Sequence, residues 1–374
     1  MMLYWVWLSR LKGVGPVTQK KLLEHFQAPQ RIYEASAEEL RSVSGVGKTI
    51  SHGIKSASLD EAQRILEKAD KKQISLLTYD NPLYPAKAKE SPEAPILLYY
   101  KGNLREDSMG VGIVGARRCS EYGKHVAGEA ATYLADNNIT VISGLAKGID
   151  GYAHTACLKA NGYTLAFLGN GLDICYPKEH YRLLEMIIAN GVVLSEYPPG
   201  VQPRPDHFPK RNELIAAWSE KLLIVEAGEK SGALITAKYA KELDREVLVA
   251  PSQIYSLTGK GTNQLIAEGD HIYLHPSQLN IRKGINTPNI LAQLTKAKNE
   301  ISVDKRDKRA YTTNEQKIID LLQNNPMTLD QISAKINIEK LEMLEVVSMF
   351  ELEGVIRVLP GGRRALTLQA GGMA

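Results

Sequence analysis

Through the middle of the chain, short apolar runs alternate with segments of helical length, and this alternation constrains the fold more than any other feature. The runs are Met109 to Gly115, Thr140 to Ser143, Thr164 to Gly169, Val192 to Glu196, Lys221 to Glu226, Glu246 to Ala250 and His271 to Leu274. Helical segments fall between them near 122–137, 150–161, 179–190, 212–219, 232–243 and 263–268. Strand and helix repeated in this order predict an α/β fold with a Rossmann-like, doubly wound parallel sheet. Ligands of such a sheet bind outside the carboxyl ends of its strands.

Gly110-Val111-Gly112-Ile113-Val114-Gly115 matches the dinucleotide fingerprint as a string. Its glycines sit among Val and Ile inside the first strand, whereas a pyrophosphate needs them in the turn and at the helix start. The second strand ends in Ser143-Gly144, with no acidic residue placed for a ribose hydroxyl. A nicotinamide cofactor is therefore not expected.

The strand ends carry a different signal. Gly115-Ala116-Arg117-Arg118-Cys119-Ser120 follows the first strand, and Ser143-Gly144-Leu145-Ala146-Lys147-Gly148-Ile149-Asp150 follows the second. A proline-rich loop after the fourth carries Arg204, His207, Phe208, Lys210 and Arg211 up to Asn212, and Lys230-Ser231-Gly232 to Thr236 follows the fifth. Each turn pairs a basic side chain with Gly or Ser ahead of a helix, where free amides and the positive helix end favour an anion. Residues 73–281 carry a net charge of −3, so basic residues gathered on one sheet edge suit several phosphates at once. Phe208 among prolines and cations is a candidate platform for base stacking.

The flanks differ from the centre. Leu11-Lys12-Gly13-Val14-Gly15 is echoed by Val43-Ser44-Gly45-Val46-Gly47, each followed by a helix ending near Phe26 and Ala57. This is the turn of a helix-hairpin-helix, in which glycines let backbone amides face a DNA phosphate. Gly13, Gly15, Gly45 and Gly47 are thus candidate DNA contacts in a helical module at 1–72, the alternative being a packing module that has lost that contact. The central domain is expected at 73–285 and a basic linker at 286–312, the stretch 282–312 holding a net +5. Residues 313–368 read as a winged helix, with helices near 314–323, 328–336 and 339–353 and a hairpin from Val355 to Leu359 and Ala365 to Leu368. Its third helix carries Glu339, Glu342, Glu345, Glu351 and Glu353 against Lys340, which would repel a major groove. A protein contact or dimerisation role is favoured there over sequence-specific DNA binding, with only Arg357, Arg363 and Arg364 of the wing suited to DNA. Leu341, Leu344, Val347 and Met349 are assigned to the core.

Three cysteines, Cys119, Cys157 and Cys175, form neither paired C-x-x-C spacing nor a secreted disulfide framework, which suits the reducing cytoplasm. Met1 to Leu8 is too short to span a bilayer, and no other apolar run approaches the ~20 residues a membrane helix needs. Asp150 and His154 are four apart on a helix and could share a face, but two ligands are too few for a metal. Glu196 and Glu226 end neighbouring strand candidates and could form a carboxylate pair, although support of the phosphate-binding turns explains them more simply. No catalytic residue, cofactor or metal is expected.

Taken in order, these strings resemble the bacterial DNA-processing protein A (DprA/Smf) family. The matching residues are Val114-Gly115-Ala116-Arg117, Ser143 to Asp150 with Ala153-His154, Gly169-x-Gly171-Leu172-Asp173 to Tyr176-Pro177, Ser195 to Pro198, Phe208 to Asn212, and Val225-Glu226-Ala227 with Ser231 to Ala237. The resemblance covers the whole central domain. It implies single-stranded DNA binding, homodimerisation and delivery of the strand to a RecA-type recombinase during transformation or recombination. On it, Arg117, Lys147, Lys210 and Arg211 would neutralise phosphates, and Lys178 and Arg204 would extend the path. Amides around Ser120, Gly144, Gly148, Ser231 and Gly232 would fix the backbone, with Ser231 and Thr236 adding hydroxyls. Glu213 stands where the family usually has a second arginine, which would remove a positive charge beside the strand path, and Ser252 follows Pro251 where a glycine is usual. The enzyme alternative is a nucleotide phosphoribohydrolase on a similar sheet, whose Pro-Gly-Gly-x-Gly-Thr turn is missing from Ala227-Gly228-Glu229-Lys230-Ser231-Gly232. A sensor of free nucleotides signalling through the C-terminal unit is the third reading.

Overall fold

The computed structural model describes residues 1–106, 108–281 and 311–367. The expected linker 286–312 lies outside the described residues except at its last two positions.

Six helices come first: α1 (Met2–Ser9), α2 (Pro16–Phe26), α3 (Pro29–Glu34), α4 (Ala37–Arg41), α5 (Lys48–Ser56) and α6 (Asp60–Lys71). The two glycine turns lead into α2 and α5. Gly13 and Gly45 have φ of 75° and 93°, a left-handed backbone that glycine adopts without penalty, while Gly15 and Gly47 are the N-cap positions. A side chain begun at any of the four would meet no heavy atom within 4 Å, so both turns face open space. The apolar N-terminus is buried: Trp5, Val6, Trp7 and Leu8 pack with Leu22, Ile32, Leu40 and Ile54.

The sheet then unfolds as expected, with two strands added. Its elements are β1 (Ser75–Thr78), β2 (Leu97–Gly102), β3 (Gly110–Val114), α7 (Glu121–Asp136), β4 (Thr140–Ser143), α8 (Ile149–Lys159), β5 (Thr164–Phe167), α9 (Tyr181–Asn190), β6 (Val192–Ser195), α10 (His207–Trp218), β7 (Ser219–Ile224), α11 (Gly232–Glu242), β8 (Glu246–Val249), α12 (Lys260–Ala267) and β9 (His271–Ile272). The strand order is β1-β2-β6-β5-β4-β3-β7-β8-β9. The seven predicted strands run parallel, whereas β1 and β2 add an antiparallel edge at β6. Two glycines of the fingerprint string lie inside β3, where Gly110 packs on the Thr140 backbone and Gly112 on Leu222 and Ser219, and Gly115 follows the strand. The two inside the strand bring neighbouring strands together.

The C-terminal unit has three helices, α13 (Thr313–Asn324), α14 (Leu329–Lys335) and α15 (Lys340–Leu352), and the antiparallel pair β10 (Ile356–Leu359) and β11 (Arg363–Leu366). Thr312 and Thr328 start the first two helices with capping boxes. The acidic third helix is turned inward onto the central domain. Met349 and Leu352 join the apolar cluster of Leu145, Leu172 and Leu183. Arg182 meets the buried Glu315 at 2.8 Å and Glu345 at 4.0 Å, and Lys159 Nζ donates to the Glu353 carbonyl at 3.0 Å. The third helix thus has its contacts within the chain, on the central domain. Leu341, assigned to the core, is 39% exposed instead.

Candidate nucleic-acid interface

From β3 the chain winds outward through β4, β5 and β6, then returns to the other side of β3 as β7. The carboxyl ends of the strands diverge at this switch point, and a cleft opens there. Its larger lobe holds about 620 Å³, enough for more than one small anion. The walls come from the turns read in the sequence: Gly115 and Arg117 after β3, Gly144, Ala146 and Lys147 after β4, and Lys230, Ser231 and Gly232 after β7. Phe208, Arg211 and Asn212 also line it. These three belong to a helix and not to a loop, because α10 begins at His207, five residues before its expected start. Pro209 does not prevent this, since a first-turn residue has no helical acceptor for its amide.

Arg211 forms the floor. It is 5% exposed, and its guanidinium stands 3.5 Å from the equally buried carboxylate of Asp150. Asp150 in turn accepts from the amides of Gly144 at 3.1 Å and Ala146 at 3.4 Å. Burial raises the carboxyl pKa of Asp150 and lowers that of the guanidinium. The terminal nitrogen that makes this ion pair and the neighbouring Nε are both buried. Gly144 is required for this arrangement, as a Cβ there would occupy the place of the guanidinium.

Above the floor, Phe208 sits in a stack of cations and rings. Arg117 lies 5.5 Å and Arg211 6.0 Å from its centroid, and the half-exposed Tyr176 ring is 5.7 Å away at 38°. Guanidinium planes and aromatic faces are the surfaces on which bases stack. Tyr176 and Asn170, which also line the cleft, were absent from the predicted site. Tyr176 was visible in the Tyr-Pro string but had no charge or glycine to draw attention to it.

Other predicted residues have other duties. Ser120 gives its amide (2.9 Å) and hydroxyl (2.6 Å) to Glu226, so neither is turned to the cleft. Lys178, Arg204 and Lys210 are exposed but are not among the lining residues, and Arg204 pairs with Asp206 at 3.2 Å. Gly148, at φ 77°, packs against the Ala116 and Arg117 backbone, bringing the first two turns together. Ser231 caps α11 by accepting from the Ala233 amide at 3.3 Å, and the buried Thr236 hydroxyl lies 3.4 Å from the Gly232 carbonyl. Lys147 is ion-paired with Glu179.

Glu213 is not among the residues lining the cleft. It accepts from the Ser91 hydroxyl at 2.7 Å, while Lys20 of α2 donates to the Ser91 carbonyl at 2.9 Å. The residue that departs from the family pattern therefore joins the sheet to the helical unit. Asp150 and His154 do not pair either. His154 Nδ1 lies 2.7 Å from Thr164 Oγ1, and its Nε2 accepts from the Leu145 amide at 3.4 Å. Glu196 and Glu226 are no carboxylate pair, as β3, β4 and β5 separate their strands. Among the described residues no group of three His, Cys, Asp or Glu could hold a metal, and no helix is long and apolar enough to cross a membrane.

Comparison with known proteins agrees with this geometry. Residues 75–282 match the family model of DNA recombination-mediator protein A, residues 8–58 a SAM-like helix-hairpin-helix tandem, and residues 304–362 the DprA winged helix domain. Protein Smf of Synechocystis sp. is 41% identical over 282 residues, 74% of this chain and 71% of that protein. The structure of DNA processing protein A from Streptococcus pneumoniae superposes with a TM-score of 0.66 at 30% identity, over 75% of this chain and 99% of that one. That of the Helicobacter pylori protein, described for its single-stranded DNA binding mode, gives 0.50 at 27% identity, over 60% and 97%. The α/β sheet, its helical and winged-helix flanks and these matches together place the chain in the DNA recombination-mediator protein A (DprA/Smf) family.

Proposed function

We propose that this protein binds single-stranded DNA without regard to sequence, protects it and passes it to a RecA-type recombinase during DNA uptake and recombination, acting as a homodimer in the cytoplasm. The observation that carries this reading is the convergence of Arg117, Lys147, Lys230 and the buried Arg211 on one cleft at the carboxyl ends of the strands. A strand phosphate would meet this concentration of positive charge. Arg117 and Lys147 add charge, the positive amino end of α11 offers a second phosphate position, and the Phe208–Tyr176 stack receives bases. Lys178, Arg204 and Lys210 lie farther out and extend the path. Backbone and base-face contacts carry no sequence code.

Fluorescence anisotropy of a labelled oligonucleotide, as single strand and as duplex, tests the reading across a range of salt. The single strand is expected to bind more tightly, with free nucleotides competing poorly. Arg117→Ala is expected to weaken binding and flatten the salt slope by ~0.7. Displacement by a mononucleotide at low concentration would favour a nucleotide sensor or hydrolase instead.

A further inference from the structure

Lys147 meets the cleft already paired. Its partner Glu179 lies in the short 3-10 turn Lys178–His180, and the two side chains differ in freedom: that of Lys147 is 57% exposed, that of Glu179 26%. The turn is fixed from behind. His180 is buried, its Nδ1 lies 3.0 Å from the Leu145 carbonyl, and its ring packs where Gly151 and Leu352 of α15 come together. The Glu179 carboxyl is held below its usual pKa: burial alone would raise it, but the hydrogen bond and charge of Lys147 outweigh that. It is therefore an anion at neutral pH, paired with a lysine that lines the cleft.

A carboxylate and a DNA phosphate compete for the same ammonium group. The lysine stem is flexible and can swing toward a phosphate. The glutamate stays on its anchored turn. We propose that Glu179 is an affinity-setting residue of the cleft, an internal anion that holds Lys147 until a strand phosphate displaces it. The proposal rests on the strand-binding reading above. It has a quantitative consequence for salt dependence. When Lys147 moves to a phosphate, the DNA releases a counterion, but the abandoned carboxylate takes one up. The contribution of Lys147 to the salt slope is cancelled as long as Glu179 is charged. The pairing also makes weak anions poor ligands, since only a polyanion engaging Arg117 and Arg211 together compensates for the broken ion pair.

The test compares full-length wild type, Glu179→Gln, Lys147→Ala and the double variant, by anisotropy with a labelled oligothymidylate across salt concentrations. Glu179→Gln is expected to bind roughly 3- to 5-fold more tightly, from the magnitude of exposed ion pairs, with a salt slope steeper by ~0.7. Lys147→Ala is expected to bind more weakly, and the double variant to behave like Lys147→Ala. An unchanged or weakened Glu179→Gln variant with the wild-type slope would overturn the proposal. So would an equal gain in the Lys147→Ala background, which would mark a general charge effect. If wild type binds no single strand at all, the functional reading itself has failed, a result distinct from either.

Discussion

His154 illustrates how a buried polar residue can look functional in the sequence and prove structural. Its Nε2 accepts from the Leu145 amide, so Nδ1 carries the proton and donates to Thr164 Oγ1, whose own hydroxyl donates to the Val141 carbonyl at 2.9 Å. A second ring proton would point at an N–H. Burial accordingly depresses its pKa from 6.5 to about 3. Below pH 6.5 the unfolded chain gains a proton that the native ring refuses. This contribution is complete above pH 6.5 and is lost as pH falls toward about 3, at up to ~1.4 kcal/mol per pH unit. Urea denaturation at pH 7 and pH 5 should therefore show a stability loss that His154→Gln reduces. At this scale Arg117 and Lys147 stand out because charge beside glycine at a strand end is a visible signal, and Arg211 because it is one of several cations in a proline-rich stretch. The sequence could not show that Ser120 is held by Glu226, 106 residues away, or that Glu213 faces Ser91.

At the scale of elements, the parallel strands were legible because buried strands are nearly all apolar and a helix separates each from the next. β1 and β2 escaped notice because the segment between them contains Pro82, Pro85, Pro92 and Pro95 and no helix of ordinary length, so the alternation breaks down. The start of α10 is hidden in the sequence for a related reason: Pro203, Pro205 and Pro209 read as loop, although a proline in the first turn leaves a helix intact. α11 begins at the cleft edge with Ser231 as its cap. Ser231→Ala should cost about 1 kcal/mol and Ser231→Gly only a few tenths, measured as shifts in the denaturation midpoint. A larger loss in the glycine variant would mean that the hydroxyl does more than cap.

Over the whole molecule, the third helix of the winged unit shows what charge patterning can and cannot reveal. Its glutamates argue against a helix lying in a major groove, and only the structure shows that Arg182 and the apolar residues of the central domain are what it meets. The division into 1–72 and 73–285 followed the change from helical repeat to strand alternation, and it concealed a continuity. The apolar cluster containing Trp5, Leu8, Leu22 and Ile32 runs without a break into Leu145, Leu168, Leu183 and Val193 of the sheet. The helical unit therefore lacks an independent core. Scanning calorimetry should give one endotherm for both parts, with a calorimetric enthalpy equal to the van't Hoff value. Two modules that look separable along the chain would then be a single cooperative unit, and cutting between them would yield a fragment with its greasy side exposed to water.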